Sequence, residues 1–258
     1  MRGGGRVVMS ALARRAARGT VVAEGPFATR IEVDPRDPVA LSVYLWGTYA
    51  PEAEAAIGRL LAPGSTAVDA GAGAGVTTVL MAARCRPGRV VAVEPSTANR
   101  AAIGRQAERN GLSAEVEIIG GDPTRLDELL TAAGLPDGRL DLVRIVVGGT
   151  EPAVLRGARS LLATTRPALL FDWCPESWRA LGETPAGAAD LLAELDYELF
   201  APVLTVARRW WSAGPPRFER FAPVPLAALR DGKLPALNVV AIAAGPHGAG
   251  PRARLAAS

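Results

Sequence analysis

Three glycines within five residues, Gly71, Gly73 and Gly75, stand between the apolar run Ala67-Val68-Asp69-Ala70 and the helix-forming stretch Val76-Thr77-Thr78-Val79-Leu80. That density of glycine at a strand-to-helix turn lets the backbone adopt positive φ and brings it close to a ligand, because no Cβ stands in the way. A tight turn with no ligand would share the pattern. The spacing is G-x-G-x-G, and a dinucleotide fingerprint needs glycine at position 76, where the chain has Val76. A nicotinamide-dependent oxidoreductase is therefore disfavoured.

From about residue 50, short β-branched runs alternate with Ala/Leu/Arg stretches of helical period, the pattern of βαβ units around a parallel sheet. Strands are expected at 65–69, 89–94, 115–119, 140–147, 167–172, 197–203 and 237–243. Helices are expected at 51–61, 75–86, 96–110, 124–133, 151–162 and 186–195. Gly64, Gly88, Gly111 and Gly138 fall between a helix and the next strand, and Pro152 suits a first helical turn. Seven strands and six helices then form one domain, 41–246. Residues 1–40 read as a lead-in behind a basic arm, rich in arginine up to Arg18 and either solvated or an export or surface-binding segment, and 247–258 as a flexible tail. The segment 208–235, with Trp210, Trp211, Phe218 and Phe221 among prolines and glycines, reads either as a lid or acceptor loop or as an insertion packed on the sheet edge.

Composition removes several chemistries. The 49% apolar and 21% charged residues suit an ordinary globular core, and 29 basic against 26 acidic residues leave an excess too small to imply nucleic acid. Two cysteines, Cys85 and Cys174, and the single His247 build neither a disulfide framework nor a Cys/His metal cluster. No apolar run reaches the roughly 18 to 20 residues of a membrane span, so a soluble, cytoplasmic protein is expected.

Two acids add to the glycine turn. Glu94 closes the second strand 25 residues after Asp69, where a carboxylate in a Rossmann-like crevice accepts hydrogen bonds from ribose hydroxyls and repels a 2′-phosphate. Asp122 follows Gly120-Gly121 at the end of the third strand, where an adenine amino group could donate to it. Each acid also has a plain reading as a solvated strand end.

The run from Pro63 to about Asp172 resembles the FkbM family of S-adenosylmethionine (SAM)-dependent methyltransferases. The resemblance rests on Pro63-Gly64, Asp69-Ala70-Gly71-Ala72 with Gly75, Gly88-Arg89-Val90, Ala92-Val93-Glu94-Pro95, and the helix ending at Asn110. It continues through Leu126-Asp127-Glu128-Leu129-Leu130, Leu140-Asp141-Leu142-Val143-Arg144-Ile145, the stretch Glu151 to Ala158, and Arg166-Pro167. Tyr49 and Glu52 upstream, and Leu237-Asn238-Val239-Val240-Ala241 downstream, are similar to the family's entry segment and last strand. The resemblance implies the class I Rossmann-like methyltransferase fold, an α/β architecture with a seven-stranded, mostly parallel sheet and helices on both faces. It implies SAM as cofactor, bound by Asp69, Gly71, Gly73, Gly75, Thr77, Glu94 and Asp122, and O-methylation of a hydroxyl on a small molecule such as a sugar, polyketide or other secondary metabolite.

One departure matters. Where the family has Ile-Asp-Val-Glu-Gly-Ala-Glu after the fourth strand, this chain reads Ile145-Val146-Val147-Gly148-Gly149-Thr150-Glu151, so Val146 and Gly148 replace two acids. Methyl transfer from a sulfonium needs in-line positioning and a group to take the acceptor's proton. Glu151 and Asp172 are the candidate catalytic acids, with Tyr49 and His247 as further candidates, and no metal is expected. Trp173 and Trp178, with Cys174 between them, read either as an acceptor-pocket lining shared with Trp210 and Trp211 or as core. The alternative to an active enzyme is a silent relative that binds SAM or its product and serves as a partner subunit in a biosynthetic pathway; a homodimer is also compatible with the sequence.

Overall fold

The computed structural model describes residues 19–34, 38–48, 50–135, 139–205, 217–230 and 237–256. A hairpin of β1 (Val21–Glu24) and β2 (Arg30–Val33) leads to α1 (Pro38–Trp46) and α2 (Pro51–Leu60). Then come β3 (Thr66–Ala70), α3 (Val76–Cys85), β4 (Arg89–Val93), α4 (Thr97–Arg109), β5 (Val116–Ile119), α5 (Leu126–Ala132) and β6 (Leu142–Ile145). They are followed by α6 (Glu151–Gly157), α7 (Arg159–Thr165), β7 (Ala168–Trp173), α8 (Pro175–Ala180) and α9 (Pro185–Glu194). The chain closes with β8 (Tyr197–Thr205), β9 (Arg217–Val224), α10 (Leu226–Arg230), β10 (Leu237–Ala243) and α11 (Pro246–Ala256).

The main sheet has the order β5-β4-β3-β6-β7-β10-β8-β9, with the first five strands mutually parallel and β10 antiparallel to both its neighbours. Alternation along each strand sorts its residues between two cores. Val68, Val143, Leu169 and Val239 face α5 to α9, whereas Ala67, Leu142, Leu170 and Val240 face α2, α3 and the hairpin. Helices therefore cover both faces, as a mostly parallel sheet requires. The starts are set locally: Ser96 caps α4 by accepting from the Asn99 amide, Thr184 caps α9 through the Gly187 amide, and prolines open α2, α6, α8 and α9. Among the described residues no helix is long and apolar enough to cross a membrane.

Three parts of the chain differ from expectation. The sheet has eight strands, because 217–224, within the segment read either as a lid or acceptor loop or as an insertion packed on the sheet edge, is β9, which pairs with β8 at that edge. A register shift between Val203 and Leu204 places Phe218 and Phe221, three residues apart, in one core with ring centroids 4.8 Å apart. The bulge hides the period of two on which strand recognition depends. The single helix expected over 151–162 is two, because Asp127 reaches from α5 to accept from the Ser160 and Leu161 amides and caps α7. The expected flexible tail is instead α11, docked by Leu255 in the core, by Arg59 donating to the Leu255 carbonyl (2.8 Å), and by Arg254 donating to the Arg59 carbonyl (3.1 Å).

The lead-in is tied to the domain through α4. Gln106 accepts from the Glu32 amide (2.9 Å) and donates to its carbonyl (2.7 Å), and Asn110 does the same for Arg30 (2.7 and 2.9 Å). Two amide side chains one helical turn apart thus stand in for a neighbouring strand. Gln106→Ala leaves both backbone groups of Glu32 without their partner, so a loss of about 2 kcal/mol is expected. Thermal unfolding checks it, with a midpoint about 4–8 °C lower.

Candidate functional site

The glycine turn forms at the carboxyl end of β3. Gly71 (φ +82°) and Gly75 (φ +85°) adopt the left-handed conformation glycine favours, and a Cβ on Gly71 would lie 2.3 Å from the Val146 carbonyl oxygen. Gly75 is the N-cap of α3 and packs against Ile103 of α4. The Gly71 and Ala72 amides donate to the Val93 carbonyl, which fixes the turn to β4. At Gly73 a Cβ would meet nothing within 4 Å, so the turn is open at its middle glycine.

Glu94 sits beneath that opening, 5% exposed. Its Oε2 accepts from the Gly73 amide (2.8 Å), and its Oε1 accepts from the Ser96 amide (2.9 Å) and Asn99 Nδ2 (3.1 Å). One carboxylate therefore ties the glycine turn to the first turn of α4, and Oε2 keeps acceptor capacity beyond its one bond. Thr77 is buried in the first turn of α3. Asp122 is exposed and caps the short turn 123–125 by accepting from the Thr124 amide (2.9 Å).

Asp69, expected at the cofactor, is turned away from it. It is fully buried on the α2/α3 face of β3, with Oδ1 paired to Arg144 Nη1 (2.6 Å) and Oδ2 accepting from Thr78 Oγ1 (2.7 Å). Its role is to hold α3 and β6 against β3, and it offers no free face to a ligand. Arg144, which pairs with Asp69 in the β3/β6 register, is the residue whose importance the sequence understated. A lone charge inside the apolar run Leu142-Val143-Arg144-Ile145 is the signal, since a buried charge needs a partner.

Glu151 is likewise no catalytic group. It is fully buried; Oε1 accepts from the Val147 amide (2.9 Å) and Oε2 from the Gly149 amide (3.0 Å) and Trp178 Nε1 (2.7 Å). The carboxylate folds the 146–150 loop around itself and leaves no route to an acceptor. That loop abuts the glycine turn through Val146 and Val147 at Gly71. Trp173 and Trp178 are core, fully buried and edge to face at 4.6 Å, not a pocket lining.

Asp172 remains. It stands near the carboxyl end of β7 on the same sheet face as Asp69 and Arg144, opposite Asn238 in the β7/β10 register, and is only partly buried. Asn238 donates to Glu52 of α2 (2.8 Å), a residue the sequence offered only as part of an entry motif. Burial pushes the Asp172 carboxyl up to about 6, opposed by the nearby Arg144 charge and assisted by Glu151 and Glu52. A carboxylate so tuned is a suitable proton acceptor near neutral pH.

His247 lies on α11 at the opposite end of the strands, beside the amino ends of β6 and β7, and cannot serve this site. Tyr49, Arg208, Arg209, Trp210 and Trp211 lie outside the described residues. No group of His, Cys, Asp and Glu among the described residues could hold a metal ion.

No family model matches the chain, and no curated protein matches it. Solved structures of similar fold include "putative transferase PH0793" from Pyrococcus horikoshii, at 12% identity and a TM-score of 0.51, covering 88% of this chain and 74% of that one. Another is a "putative rRNA-methylase" from Clostridium thermocellum, at 14% identity and a TM-score of 0.50, covering 76% of this chain and 97% of that one. The likeness is one of fold, the Rossmann-like methyltransferase arrangement with a mostly parallel central sheet.

Proposed function

We propose that the protein is a SAM-dependent methyltransferase, related to the FkbM family, that methylates a hydroxyl on a small molecule. The observation that carries the reading is Glu94 bonded to the Gly73 amide beneath an open glycine turn. This joins a backbone cradle to a carboxylate with acceptor capacity for a ribose hydroxyl. Gly71, Gly73 and Gly75 would approach the methionine part, Thr77 would lie at the first turn of α3, and exposed Asp122 would accept from the adenine amino group through its second oxygen. SAM supplies an activated methyl group when bound. Asp172 takes the acceptor's proton, while Glu151 and the Asp69–Arg144 pair keep the surrounding loops and strands in place. Exposed Asp122 and partly buried Asp172 would repel a polyanionic backbone and suit a hydroxyl-bearing small molecule rather than nucleic acid.

Glu94→Ala is expected to weaken SAM binding by about 1–3 kcal/mol, as loss of a buried polar partner does. Equilibrium dialysis with labelled SAM measures it, and unchanged affinity in a folded variant removes the site assignment. Transfer is expected to fall tenfold per pH unit below about 6 as Asp172 becomes protonated. The same shift has a stability consequence. Because the folded carboxyl titrates above its unfolded value of about 3.9, stability is highest below that value and declines as pH rises to about 6. Asp172→Asn is therefore expected to be about 3 kcal/mol more stable than the parent at pH 8 and no more stable at pH 4, with transfer lost. Denaturant titrations at the two pH values check this.

Val146 and Gly148, with Glu151 spent on its own loop, favour one second reading, a silent protein that still binds SAM or its product as a partner subunit. Val146→Asp with Gly148→Glu separates the two: transfer that appears only in the double variant makes the silent reading correct.

A further inference from the structure

At the end of the sheet opposite the glycine turn, a cleft of about 320 Å³ opens between α11 and the amino ends of the interior strands β6 and β7. Guanidinium-bearing side chains from three separate elements line it: Arg139 before β6, Arg166 before β7 and Arg254 from α11, with His247 one face along the same helix. The lining acid, Asp141, is already committed, with Oδ2 accepting from the Thr66 amide (3.0 Å) and Oδ1 from Arg139 (2.8 Å). Asp141 thus offsets one arginine. Arg166 reaches its nearest carboxylate, that of the largely exposed Asp196, at 3.5 Å, and Arg254 donates to the Arg59 and Leu60 carbonyls and has no acidic partner among the described residues. Three guanidiniums against Asp141 and Asp196 leave the cleft net positive, and each guanidinium, Arg166 with its bonds to the Leu195, Asp196 and Ala244 carbonyls included, has N–H groups beyond those it spends on the fold.

A second observation singles out Arg166. It occupies the C-cap of α7 with φ +48° and ψ +49°, the left-handed conformation that glycine adopts at little cost. The chain keeps a long cationic side chain where its backbone is strained, and that side chain lines the cleft.

We propose that this cleft is a second ligand site, which binds the phosphate group of a small molecule. Convergent guanidiniums supply charge-assisted, bidentate bonds to phosphate oxygens. The amino end of α11 adds a favourable dipole. The volume exceeds that of one phosphate group and leaves space for the molecule that carries it. Nothing in the site touches the glycine turn, so occupancy is independent of the cofactor reading.

The test is titration of the full chain with inorganic pyrophosphate at constant ionic strength, read by calorimetry and by amide chemical shifts. The site predicts saturable binding, shift changes concentrated at 139–141, 165–168 and 247–254, and affinity reduced about tenfold or more by Arg139→Gln and by Arg254→Gln. Arg139 is exposed and carries the test if Arg254→Gln, which also loses its bonds to α2, does not fold. Absence of saturable binding, shift changes elsewhere, or equal affinity in a folded Arg139→Gln protein overturns the proposal.

Discussion

Arg144→Leu is expected to cost about 3–5 kcal/mol of folding stability, because it strands the Asp69 carboxylate in the centre of the sheet. Asp69 keeps only its bond from Thr78. The unfolding midpoint should fall by about 10 °C or more. The penalty belongs to the orphaned charge rather than to the pair, so Asp69→Val combined with Arg144→Leu should recover most of it. Equal losses in the single and double variants would show that Arg144 acts by packing alone. A folded Arg144→Leu protein has a second signature. Arg144 opposes the upward shift of Asp172, so its removal should move the pH midpoint of transfer above about 6.

Glu151→Ala is the other large loss. It withdraws the acceptor from the Val147 and Gly149 amides and from Trp178 Nε1 together, and about 3–5 kcal/mol of stability should go with them. Val146 and Val147 lie against Gly71, so SAM affinity should fall as the loop loosens. The comparison with Asp172→Asn is diagnostic. A catalytic Glu151 would lose transfer with stability intact; the bonding pattern predicts the reverse order, stability lost at Glu151 and transfer lost at Asp172. Chemical denaturation alongside a transfer assay separates the two.

The parallel half of the sheet was legible because its signals are local. Gly71, Gly73 and Gly75, the acid Glu94 just past β4 and Pro152 in the first turn of α6 each declare themselves within a few residues. What escaped depends on pairing across the fold. Phe218 and Phe221 share a face only because β9 is bulged against β8, and Asp127 caps the start of α7 from a distance of more than thirty residues. The acids show the same limit. Asp69, Glu151 and Asp172 read alike along the chain, yet two are spent on the fold and one keeps access to solvent. Hydrogen-bond partners, 75 residues away for Asp69 and 27 for Glu151, decide which is which.

The central claim is a SAM site built on the glycine turn and Glu94. Calorimetric titration with S-adenosylhomocysteine, and separately with NADH, tests it without knowledge of the acceptor. The account predicts micromolar binding of S-adenosylhomocysteine, about −8 kcal/mol, lost or much weakened in Glu94→Ala, and no binding of NADH. Tight binding of NADH with none of S-adenosylhomocysteine, or no binding of either to the folded protein, would contradict it.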